Sequence, residues 1–183
     1  MIKKRTLHLL ITISSVIVST ALLLLPEPAA AYVSWLSPGL FFTVLTGIVC
    51  GFFPAVLVGA LPPLLAFLVT NFSLPGKDWL FYVPMAVLAV SGLVSAGVYT
   101  ALKTSFGASV SGILAGRFVL GVLNLVIYHL LGRTYTIGMF LRDGFVSVWA
   151  GLLLTAVFVP LLVVLFRRYG IMKLLRNEKI VEV

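Results

Sequence analysis

Residues 108–131 read ASVSGILAGRFVLGVLNLVIYHLL, an apolar run that carries one arginine, Arg117. A helix needs about 20 such residues to cross a bilayer, so this run is long enough to span. Its polar members share one side. Arg117, Gly121, Asn124 and Tyr128 follow the spacing i, i+4, i+7, i+11, which at about 100° per residue is a single helical stripe. An arginine at the bilayer centre costs about 2.5–3.5 kcal/mol even on the lenient insertion scale. Flanking Leu and Val residues offset insertion but leave the guanidinium without a partner. The stripe is therefore expected to face protein, water or ligand. His129 projects about 120° away from Arg117 and is expected at the interface.

Working outward, apolar segments recur at approximately 7–25, 39–53, 54–72, 79–102 and 145–166. The breakers fall between them: Pro26 and Pro28, Ser37-Pro38-Gly39, Pro54, and Leu74-Pro75-Gly76-Lys77-Asp78. Thr104-Ser105-Phe106-Gly107 and the stretch from Gly132-Arg133 to Asp143-Gly144 mark the later loops. The 39–53 segment is short and the next contains Pro62-Pro63, so this pair is expected to be tilted or broken. The 183 residues are 61% hydrophobic and only 10% charged, against about 45–50% and about 25% in soluble domains. Six spans use about 120 residues, which leaves no room for a soluble catalytic domain. The expectation is an all-α integral membrane protein: residues 1–183 as one compact bundle of six transmembrane helices.

Charge sets the orientation. The chain has 13 Lys and Arg against 5 Asp and Glu, a net charge of +8. With six spans, one side receives Lys3, Lys4, Arg5, Lys103, Arg167, Arg168, Lys173, Arg176 and Lys179, and the other receives Lys77, Arg133 and Arg142. That asymmetry is the positive-inside bias, so both termini are expected in the cytoplasm. The charge is then a topology signal, and nucleic acid is not an expected partner. Lys3, Lys4 and Arg5 before the 7–25 run, with Ala29-Ala30-Ala31 after it, have the look of a signal peptide. The run exceeds the usual h-region of about 7–15 residues, and a retained first helix is expected. The location implied is a bacterial or archaeal plasma membrane. Cys50 has no second cysteine to pair with and reads as a small packing residue.

The missing chemistry matters as much. Glu27, Asp78, Asp143, Glu178 and Glu182 all fall in loops or tails of this segmentation, whereas a proton relay uses ionisable groups within the membrane. The chain contains no Walker loop, no His-Glu-x-x-His and no Gly-x-Ser-x-Gly. His8 and His129 are far apart. Neither an enzyme nor a metal or other cofactor is expected, and any transport would draw its energy from a partner.

The candidate ligand contacts are Arg117, Asn124 and Tyr128. Trp79 and Tyr82 near the outer end of the fourth span, Trp149 early in the sixth and Asn71 at the end of the third join them. Aromatic residues at these positions more often form an interfacial belt than stack on a ligand, and Asn71 suits a helix cap as well as a ligand contact. The loop around Tyr32 to Trp35 and the 73–78 loop are candidate covers for the site. Small residues recur at four-residue spacing in Ser15/Ser19, Gly47/Gly51, Ser91/Ser95 and Gly112/Gly116, a pattern that lets membrane helices approach closely. Most of these pairs read as internal packing; Ser15 and Ser19 are candidate contacts with another protein.

These features together resemble the substrate-binding S component of an energy-coupling-factor (ECF) vitamin transporter. The stretch from Ser37-Pro38-Gly39 through Thr46-Gly47 and Gly51-Phe52-Phe53-Pro54 to Gly59 is similar to that family's Gly-rich second and third spans. Pro84-Met85 with Gly92 and Gly97, Gly116-Arg117, and the apolar run to Pro160 resemble its fourth, fifth and sixth. The resemblance implies capture of a vitamin or related micronutrient from outside. Release inward would be driven by a coupling transmembrane protein and two ATPase subunits. It also implies a first helix presenting an Ala-x-x-x-Ala pair to the coupling protein, for which Ser15 and Ser19 are the nearest equivalent. The rival expectations are a stand-alone small-solute carrier or channel, and a non-transport membrane scaffold.

Overall fold

The computed structural model describes residues 4–25, 36–70 and 82–176. Of these, 89% are helical and none lies in a strand. The helices are α1 (Lys4–Leu23), α2 (Pro38–Cys50), α3 (Phe52–Val69), α4 (Tyr82–Leu102), α5 (Ser105–Leu130), α6 (Ile137–Gly144), α7 (Trp149–Arg168) and α8 (Ile171–Arg176). A single 3-10 turn, Val146–Val148, joins α6 to α7. Five stretches are long and apolar enough to cross a membrane: α1, α3, α4, α5 and the run Ile137–Arg168.

The exception is α2. Its 13 residues extend about 20 Å, short of the roughly 30 Å hydrocarbon core. It is instead the axis of the bundle. It touches α1, α3, α4, α5, α7 and α8, and Thr43, Val44 and Thr46 to Cys50 are all buried. Pro38 starts it at a position where the missing N–H is not needed. Gly51 ends it with φ at 99°, a left-handed conformation that a side chain would strain. The chain then turns directly into α3.

Glycines set the spacing and direction of the outer helices. A Cβ on Gly47 would come 2.6 Å from the Gly92 carbonyl oxygen, and one on Gly59 would come 2.7 Å from the Ala89 nitrogen. Gly112 abuts Ser95, and Gly116 abuts Ser91. Rising numbers on α5 thus meet falling numbers on α4, an antiparallel pair packed backbone to backbone. Ser91 and Ser95 donate their hydroxyls to Val87 O and Ser91 O, both at 2.8 Å, so neither serine in this seam is left unsatisfied.

One end of the bundle is tied by cations. Arg167 Nη2 donates to Tyr99 Oη at 2.9 Å and to Lys103 O at 2.8 Å. Arg176 donates to Thr100 Oγ1 at 3.2 Å and to Gly47 O at 3.1 Å. His8 Nε2 lies 3.0 Å from Leu175 O, so the start of α1 and the short α8 meet at this same end. Gly170, at φ 71°, makes the sharp turn from α7 into α8. The cores of Met172 and Leu175 are buried beneath it.

Two expectations change. Pro62 and Pro63 do not break their helix: α3 runs through both, and both are buried against neighbouring helices. A proline in a membrane helix is tolerated where surrounding protein takes up the freed carbonyls. The 132–144 stretch is not all loop. Residues Ile137–Gly144 form α6, started by Thr136, whose hydroxyl accepts from Met139 N at 3.3 Å.

Candidate functional site

Arg117 sits on the inner face of α5 beside Ile113, and is only 8% exposed. Its guanidinium has no hydrogen bond or ion pair among the described residues. The contrast with Arg167 and Arg176, both spoken for at the tied end, is sharp. No acidic residue occurs in the sequence of α1 to α5 or α7, so those helices hold no carboxylate to neutralise it. A guanidinium withdrawn this far from water without a protein acceptor is costly.

Helix packing brings a second set of polar atoms to that depth. Gly116 abuts Ser91 on α4, and the next residue, Gly92, abuts the Thr43 methyl on α2. The layer therefore holds Thr43, the Ser91–Gly92 turn and Gly116–Arg117, and α2 touches α5 directly. Thr43 Oγ1 is fully buried without a hydrogen-bond partner, and so is Thr46 Oγ1 one turn on. Neither hydroxyl was singled out from the sequence. The available signal was two threonines at i, i+3 in an otherwise apolar helix.

The outer part of the α5 stripe is covered by the chain itself. Asn124 Nδ2 donates to Tyr135 Oη at 3.3 Å. The rings of Tyr128 and Tyr135 lie 5.0 Å apart, tilted by 46°. A Cβ on Gly121 would come 2.7 Å from the ring of Phe140, so α6 fills the space beside this glycine. The stripe thus divides into a capped outer section and a deep arginine. Beside the cap is an apolar groove of about 230 Å³ lined by Phe118, Val122, Leu125 and Ile137 among others. Phe118 is 70% exposed, which puts this groove on the outer surface of the bundle and not with Arg117.

The remaining candidates scatter. Tyr82 and Trp149, at the first turns of α4 and α7, are more than half exposed, as an interfacial belt requires. Trp79 and Asn71 lie outside the described residues. Ser15 and Ser19 are buried on the face of α1 turned into the bundle. The side of α1 open to another protein or to lipid carries Leu9, Leu10, Ile13 and Ile17. Cys50 is buried at the end of α2. The chain matches no protein-family model, no curated protein and no solved structure.

Proposed function

We propose that this chain is the substrate-binding subunit of an ECF-type importer, crossing the plasma membrane six times with both termini in the cytoplasm. The observation that carries the reading is Arg117: a charge buried inside a helical bundle with no partner among the described residues. Such a group suits a bound solute. Residues that would energise transport are missing from the sequence, which has no Walker loop and no acid in α1 to α5 or α7. Work would then come from a coupling membrane protein and its two ATPases.

The orientation rests on the tied end. Lys4, Arg5, Lys103, Arg167, Arg168, Lys173 and Arg176 belong there, and the positive-inside bias assigns it to the cytoplasm. Arg117 would then be reached from outside, beneath the cap formed by Tyr135 and Phe140. The short α2 counts as a span because it runs the bundle axis between elements that are themselves long enough to cross.

The test is uptake by sealed vesicles of a solute first identified as bound to the purified chain. With the coupling protein and ATPases present, ATP should drive accumulation. The chain alone should bind the solute without concentrating it. Accumulation by the chain alone, without ATP, would transfer the reading to a stand-alone carrier.

A further inference from the structure

The charge balance of the buried layer names the class of ligand. We infer that the bound solute is a small organic monoanion, its carboxylate gripped by Arg117 and hydrogen-bonded by the Thr43 hydroxyl. This rests on the proposed binding role and adds to it the ligand's chemistry and a second contact residue.

Two independent observations converge. Arg117 is 8% exposed and unpartnered among the described residues. Thr43, on a different helix but in the same layer, is fully buried with its Oγ1 equally without a partner. A guanidinium offers only donors, in a planar fork that matches two carboxylate oxygens. A hydroxyl adds one more donor. Together they form a set that asks for an acceptor and for negative charge. A neutral ligand would leave the arginine charged in a low-dielectric layer, and a cation would repel it.

The amount of charge discriminates further. One arginine neutralises one negative charge. A phosphate monoester carries about −1.5 to −2 at neutral pH, and no second cation among the described residues belongs to this layer: Arg167 and Arg176 are bonded at the tied end of the bundle. The balance favours a carboxylate over a phosphate. Leu40 and Val44 on the helix of Thr43, and Ile113 on the helix of Arg117, belong to the buried apolar core, surroundings that suit a compact carbon skeleton.

The purified full chain is incubated with the protein-free small-molecule fraction of its expression host and washed. Whatever it retains is released by denaturation and identified by mass. The expected product is a carboxylic acid. Arg117→Gln should retain at least about tenfold less, and Thr43→Val about threefold to tenfold less. Arg117→Lys keeps the charge without the fork and should fall between. Added inorganic phosphate should not displace the compound. Displacement by phosphate, release of a neutral or cationic compound, or equal retention by folded Arg117→Gln would each overturn the inference while leaving a binding role standing. Release of nothing from the wild-type chain would overturn both. Elution of each variant as a single species, matching wild type on gel filtration, separates lost binding from lost folding.

Discussion

The Tyr99 hydroxyl accepts a hydrogen bond from the Arg167 guanidinium at 2.9 Å, joining the C-terminal ends of α4 and α7. The Tyr99 ring, wholly buried, also lies 5.5 Å from Arg167 Cζ and 4.9 Å from Arg176 Cζ. One aromatic side chain thus organises two arginines on two further helices. Removing the hydroxyl by Tyr99→Phe should destabilise the protein by about 1.5–3 kcal/mol, the usual worth of a hydrogen bond to a charged group. Thermal unfolding in detergent should show a lower midpoint with ligand capture intact. An unchanged midpoint would mean that the Lys103 carbonyl holds Arg167 by itself.

The fit between α3 and α4 depends on backbone contact at Gly59, where each near neighbour of an added Cβ is a main-chain atom of Leu88 or Ala89. Those atoms cannot rotate away. Gly59→Ala should therefore cost about 1–3 kcal/mol through overpacking. Gly97→Ala is the control, since its Cβ would meet the Phe52 ring at an ordinary 3.6 Å. Thermal unfolding of the two variants should separate them, with Gly97→Ala near wild type.

Arg117 has no ion-pair partner among the described residues, so in ligand-free protein an apolar replacement should relieve an uncompensated charge. Arg117→Met is expected to raise the unfolding midpoint of the ligand-free form while abolishing capture, because an isolated buried charge is worse than a packed apolar side chain. A structural arginine behaves in the opposite way: breaking a buried pair destabilises by about 3–5 kcal/mol. A lowered midpoint would therefore assign Arg117 to the scaffold.

Phe140 resting on Gly121 holds α6 against α5, with the Asn124–Tyr135 hydrogen bond as a second tie. Phe140→Ala should speed amide hydrogen exchange over Ile137–Gly144 several-fold while leaving α4 protected, since local opening follows local contacts. Equal exchange in wild type and variant would show that the cap is held by other contacts.

Orientation is checked by labelling in a Cys50→Ala background, which removes the native thiol. A membrane-impermeant maleimide should label Arg133→Cys in intact cells. Lys173→Cys should react only after permeabilisation. The reverse pattern would invert the molecule and move Arg117 to a cytoplasmic approach.

Much of this architecture is legible in residue order, because apolar length and helix breakers are local properties. The segments at 79–102, 108–131 and 145–166 lie within a few residues of α4, α5 and α7. Ser91, Ser95, Gly112 and Gly116 could be read as packing residues, but that Gly112 meets Ser95 and Gly116 meets Ser91 depends on the register between helices. Helix α6 was obscured because eight residues give too short a pattern to outweigh the glycines and charges at its ends. For the site, the stripe from Arg117 to Tyr128 was readable as periodicity. Its division was not, since Tyr135 and Phe140 reach Asn124 and Gly121 only once the chain doubles back. Thr43 escaped notice because a threonine within a helix ordinarily bonds the preceding turn, as Thr12, Thr100 and Thr155 do here.

The most direct measurement is native mass spectrometry of the wild-type chain, purified gently and released from detergent in the gas phase. The binding role predicts a population carrying one small organic molecule per chain, lost on denaturation and missing from Arg117→Gln. A wild-type spectrum that shows only the bare polypeptide, after the same incubation with small molecules, would contradict it.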